Sequence, residues 1–310
     1  MSTQNIKIYL LLSAGLLFMN IHAQGTWTRL NDFSGSKKKL AVAFSIGNKL
    51  YVGTGIDSAS GATKDFWEYD PVLDTWTRKA DFAGSPRFGA IGFSIGNKGY
   101  IGTGSNGTRE LLTDFWEYDP ATNVWTQKSN LGTLGRVYAT GFSIGNKAYA
   151  GTGETGQGNL VKDFWEYDPV LNLWIQKVDF PGQERQMATG FTIGNKGYVG
   201  TGLSKTGNQN DFWEFSPATN TWSEKQNFAG TPRYGAASFS IGTNGYIVSG
   251  WNEAPLYDLW EYNSIADIWT QKTDFAGTPR FNSISISTSD KCYFGLGCYK
   301  SEINDFWEFE

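Results

Sequence analysis

Six cations recur at one position of this sequence. Lys38, Arg87, Arg136, Arg185, Arg233 and Arg280 each follow a tryptophan by 11 residues. Gathered around one opening, they would form an anion trap, because guanidinium forks match the geometry of a carboxylate. Its ligand would be a small carboxylate or an acidic peptide. Six aspartates recur with the same period: Asp65, Asp114, Asp163, Asp211, Asp258 and Asp305. A cation and an aspartate present in every repeat could equally make six internal ion pairs. The sequence leaves both arrangements open. Trp251 has no counterpart in other repeats. It could stack on a sugar or a peptide, or pack on the next repeat. Arg109, Glu154, Lys205 and Tyr299 are likewise unique to single repeats.

Acid–base chemistry would need carboxylates outside the repeat pattern. Glu68, Glu117, Glu166, Glu214, Glu261 and Glu308 occur in every repeat and read as structural. Glu110, Glu154, Glu184, Glu253 and Glu302 do not recur, so they are the candidates for an acid or a base. His22 is the sole histidine, and it falls in what reads as a leader. A mature chain without it holds no Ser-His-Asp triad and no His-ligated zinc or copper. No cofactor is expected, although calcium on loop carboxylates stays open. Cys292 and Cys298 stand six residues apart, about 20 Å if extended. Two free thiols fit that spacing better than a bridge.

The elements that must position these residues follow from a repeated phrase. Asp65-Phe66-Trp67-Glu68-Tyr69-Asp70-Pro71, then Trp76, returns near residues 114, 163, 211, 258 and 305. A fixed period of this size marks a repeat architecture. Within one copy, an apolar strand over 40–46 meets a Gly47-Asn48 hairpin turn. A second strand covers 49–54 and a loop covers 56–64. A third strand spans 65–70 and stops at Pro71. A fourth strand, 75–79, carries Trp76. Four short antiparallel strands per repeat describe a propeller blade. The first strands place Ala41, Ala90, Ala139, Ala188, Ala236 and Ser283 where space near an axis is tight. Phe44 and its counterparts alternate with them and belong between blades.

The third strand occurs six times, but a Trp-bearing fourth strand follows only five copies. Trp27 is the sixth, so the N-terminal strand is expected to complete the last blade. The reading is an all-β, six-bladed propeller over 24–310. The loops at 56–64, 105–113, 154–162, 203–210, 251–257 and 298–304 differ in every copy and share one face. The opposite face carries the uniform Ile-Gly-Asn-Lys turns. Binding belongs to the variable face.

The Tyr51…Gly55 strand end, the Tyr69-Asp70-Pro71 turn and the following Trp76 resemble the kelch repeat of kelch-type β-propellers. The resemblance covers the chain after its leader. It departs from the pattern in one respect: the double glycine appears as Gly53-Thr54-Gly55. Some kelch proteins bind acidic peptides through arginines at this point of the blade. Galactose oxidase shares the propeller type, but its copper centre needs histidines that this chain lacks after its leader. A six-bladed kelch family that epimerises sialic acid matches in blade number and export only. The resemblance therefore implies a binding module for a protein, peptide or glycan through the variable face. A sugar-acid-processing enzyme using loop carboxylates is the alternative.

Lys7, the apolar run 8–19 and Ala23 read as a secretory signal over 1–23, implying a secreted or periplasmic protein. The apolar run is too short to span a bilayer. The formal charge of −4 gives no footprint for nucleic acid. The partner is otherwise open, an anionic one included. The repeats suggest a monomer.

Overall fold

The computed structural model describes residues 25–108 and 111–310. The expected leader, Arg109 and Glu110 lie outside the described residues. Among the described residues all regular structure is β, and no helix is long and apolar enough to cross a membrane.

Six antiparallel four-stranded sheets carry the chain. Sheet 1 runs Val42–Ile46, Lys49–Gly53, Phe66–Asp70 and Thr75–Arg78. Sheets 2 to 5 repeat it over 91–128, 140–176, 189–224 and 237–271. Sheet 6 takes Ile284–Ser287, Cys292–Gly295 and Phe306–Phe309 from the C-terminal end. Its outer strand is Trp27–Arg29, with Trp27 opposite Phe309 and Arg29 opposite Trp307. Each first strand packs against those of its two neighbours, and the first strand of sheet 6 packs against that of sheet 1. This is the arrangement of a β-propeller.

Alternation explains the packing. Val42, Phe44 and Ile46 are buried between sheets, while Ala43 and Ser45 face the axis. Approach is close there: a Cβ added at Gly92 would overlap Val42 Cγ1. The axial space is correspondingly small, with cavities of about 130 to 180 Å³.

Between sheets, aromatic side chains interlock. Phe66 meets Tyr118 edge-on at 4.8 Å and Trp125 at 5.0 Å in the next sheet. Phe306 of sheet 6 makes the same contacts with Tyr69 and Trp76 of sheet 1, at 5.1 and 4.9 Å. Such pairs add about 0.5–1.5 kcal/mol each beyond area burial. The repeated aromatics are core, as their recurrence suggests.

The first strand begins at Val42 rather than at residue 40. Leu40 has φ 55°, in the left-handed region, which ends extended pairing there. Three of the variable loops contain small hairpins, at 56–62, 203–208 and 251–255. Cys292 and Cys298 are buried free thiols, and burial pushes both thiols above their ordinary range.

Candidate binding site at the loop face

The six recurrent cations sit beneath the loop face, not on it. None is more than 3% exposed. Arg87 donates to both carboxylate oxygens of Asp114 at 2.7 Å, to Thr103 O at 2.8 Å and to Ser85 O at 3.1 Å. Its guanidinium also lies 4.6 Å over the Phe82 ring. Every edge of the fork is occupied. Arg185, Arg233 and Arg280 repeat this with Asp211, Asp258 and Asp305. Lys38 pairs with Asp65 at 2.5 Å and with Thr63 at 3.1 Å. Arg136 pairs with Asp163, but its Nε is buried without a partner, and Leu131 stands where the other sheets have Phe. Of the two arrangements that the sequence leaves open, the structure has six separate ion pairs and no open ring of cations. The physical reason is burial: a guanidinium out of water needs a carboxylate, and each sheet supplies one.

These pairs set an acid limit. Burial pushes the carboxyls of Asp65, Asp114, Asp163, Asp258 and Asp305 upward. The cation, helped at Asp65, Asp114, Asp163 and Asp258 by the indole N–H two residues on, outweighs that, so each ionises below its ordinary value of 3.8. A depressed folded value means the stabilisation is complete above the ordinary value and is lost as pH falls through the lower one. The melting temperature should thus hold from pH 7 to 5 and fall steeply below about pH 4. A steady decline already between pH 7 and 5, followed by circular dichroism, would contradict this.

Two residues after each cation the backbone forms a belt. Leu40, Gly89, Tyr138, Met187, Gly235 and Asn282 all have φ between 53° and 61°. Gly89 N–H donates to Leu40 O, Tyr138 to Gly89, Met187 to Tyr138, Gly235 to Met187 and Asn282 to Gly235. Leu40 N–H then donates to Asn282 O, returning to the start. The six bonds measure 2.8 to 3.2 Å. The left-handed turn costs Leu40, Tyr138 and Met187 about 1–2 kcal/mol each, and the belt holds them in it. These six residues line the axial cavity on the loop side.

The residue between cation and belt varies from sheet to sheet, only Phe occurring twice, and each pairs with the first residue of its variable loop. The pairs are Lys39 with Ile56, Phe88 with Ser105, Val137 with Glu154, Gln186 with Leu203, Tyr234 with Trp251 and Phe281 with Cys298. These six pairs, of mixed chemistry, lie on the loop side of the sheets. The sequence reading missed the first member of each pair, although its variation beside an invariant cation was the available signal.

Trp251 packs against Phe281 with ring centroids 4.9 Å apart and stays partly exposed. Tyr299 is 44% exposed and Lys205 is exposed. Among the single-copy carboxylates, Glu184 and Glu253 are exposed. Glu302 is buried, accepting from Ser58 at 2.6 Å and pairing with Lys39 at 3.1 Å. Burial pushes its carboxyl up, but Ser58, a backbone amide and Lys39 outweigh this and hold it below the ordinary range. Glu154 accepts from Gly158 N–H at 3.2 Å. It borders a cavity of about 850 Å³ with Leu111, Leu134 and Asn159. Burial, with the charge of Glu154, pushes the Tyr138 hydroxyl up. The structure does not bring Glu154 and Glu302 together: they belong to the loops of sheets 3 and 6.

The opposite face keeps its uniform turns. Lys49, Lys98 and Lys147 pair with Asp70, Asp119 and Asp168. Val72, Val170 and Ile265 are more than 80% exposed at the turns of sheets 1, 3 and 5.

No family model matches this sequence, and no curated protein is similar to it. The solved structure of YjhT superposes with a TM-score of 0.78 at 16% identity, covering 89% of this chain and 95% of that one. At that identity the likeness shows a shared fold.

Proposed function

We propose that this protein is an exported, six-bladed, kelch-type propeller that binds a peptide or glycan at the mouth ringed by its variable loops. The belt and the Trp27–Arg29 strand support the six-bladed, closed form, since both join the last sheet to the first part of the chain. One observation carries the binding reading. Twelve of the 13 tryptophans occupy two repeat positions and serve the core. The thirteenth, Trp251, stands in a variable loop on the same side as Phe88, Tyr234 and Phe281, and Tyr138 lines the axial cavity. Aromatic side chains that the scaffold does not need, partly exposed on one face, are what a recognition surface requires. The six buried cations shape that mouth from below by fixing the start of each loop.

Glycan and peptide arrays test the reading. Wild type should retain a ligand. Binding should be unchanged by Val72→Ser with Val170→Ser on the turn face, and should fall with Trp251→Ala. Loss with the turn-face pair alone would reverse the assignment. Turnover of a sugar acid in the same samples would bring the unrepeated loop carboxylates forward as acid and base instead.

A further inference from the structure

Resting on the loop-face reading, we infer that the ligand is an uncharged, hydroxyl-rich sugar bound over sheets 5 and 6, stacked on Trp251 and hydrogen-bonded by Asn282. The charge pattern comes first. Each of the six recurrent cations has its carboxylate, and Lys39 is engaged by Glu302. A carboxylate ligand would find these cations already taken, with only flexible, exposed lysines such as Lys205 and Lys300 left to meet it among the described residues.

The second observation is the state of Trp251. Its backbone is fixed on Tyr234 by bonds of 2.9 and 3.2 Å, and its carbonyl accepts from Asn208 at 3.4 Å. Its ring is braced by Phe281. Its indole N–H makes no hydrogen bond among the described residues, whereas the tryptophans of the fourth strands each donate to a carbonyl. A rigid indole with a free donor suits the C–H face of a pyranose, with one sugar oxygen accepting the N–H.

The third is Asn282. Its φ of 55° and its place in the belt fix its backbone. Its side chain lies against Gly235, where any Cβ would come within 2.5 Å of Oδ1. That oxygen is buried without a partner. A buried amide oxygen lacking a donor asks for a ligand that brings hydroxyls. An apolar ligand would leave it unpaired.

The test uses the mature protein and a glycan array carrying neutral oligosaccharides and uronic or sialic acid glycans, beside a peptide array. Selective retention of neutral glycans is expected. Trp251→Ala should weaken it by roughly tenfold or more, and Trp251→Phe, which keeps a ring but lacks the N–H, should fall between Ala and wild type. Asn282→Gly removes the amide while keeping the left-handed backbone. It should also cost roughly tenfold with the melting temperature unchanged. Peptide binding lost on Trp251→Ala would overturn the sugar assignment while leaving the loop-face reading intact. Retention of acidic glycans alone, or neutral-glycan binding that survives both variants, would overturn the inference. No retention on either array would overturn both readings.

Discussion

Asp114→Ala is expected to destabilise the protein by about 3–5 kcal/mol, the cost of leaving a buried charge without its partner. Arg87 is fully buried, and Asp114 takes two of its N–H groups. Removing the carboxylate strands the guanidinium beside the Phe82 ring with only carbonyl oxygens for company. It also frees the Trp116 indole N–H, which donates to the same carboxylate at 2.7 Å. Arg87→Lys should cost far less, because sheet 1 already runs this position with Lys38 on Asp65. Chemical denaturation of the two variants measures the difference. Equal midpoints for Asp114→Ala and wild type would mean that the pair does not hold the loop, and the cation would return as a candidate ligand contact.

Removal of residues 24–30 should cost at least as much. That segment supplies the outer strand of sheet 6, three paired residues opposite Phe309, Glu308 and Trp307. Trp27 stands 4.9 Å from Phe275 and 4.8 Å from Phe309. Deleting a packed Trp alone costs about 3–5 kcal/mol, and the exposed edge of Phe306–Phe309 would add a site for aggregation. The truncated chain should melt at lower temperature and associate at concentrations where the intact one does not. An unchanged melting temperature would contradict closure by the N-terminal strand.

Most of the scaffold was legible in the sequence because the repeat is enforced by packing. Phe66, Tyr69 and Trp76 recur because each sheet presents the same aromatic set to its neighbour. The pairing of Trp27 with the C-terminal strand could be read from a missing tryptophan. The site was less legible. Arg87 and its counterparts could be read two ways, because a sequence shows that a cation and an aspartate recur, not that the aspartate 27 residues on closes over the cation. The belt was invisible for a different reason. Leu40, Tyr138 and Met187 disfavour positive φ, so nothing in their type announces the turn. Only Gly89, Gly235 and Asn282 suit it. Trp251 was singled out correctly as unrepeated. Its neighbours Tyr234 and Phe281 were passed over because a variable residue beside an invariant one reads as noise.

Amide hydrogen exchange with and without the array-identified ligand tests the central claim most directly. Binding at the mouth predicts added protection at 234–235, 251–255 and 281–283, with exchange at the turns 46–49 and 71–74 unaltered. Protection confined to those turns, with the loop segments unchanged, would contradict it.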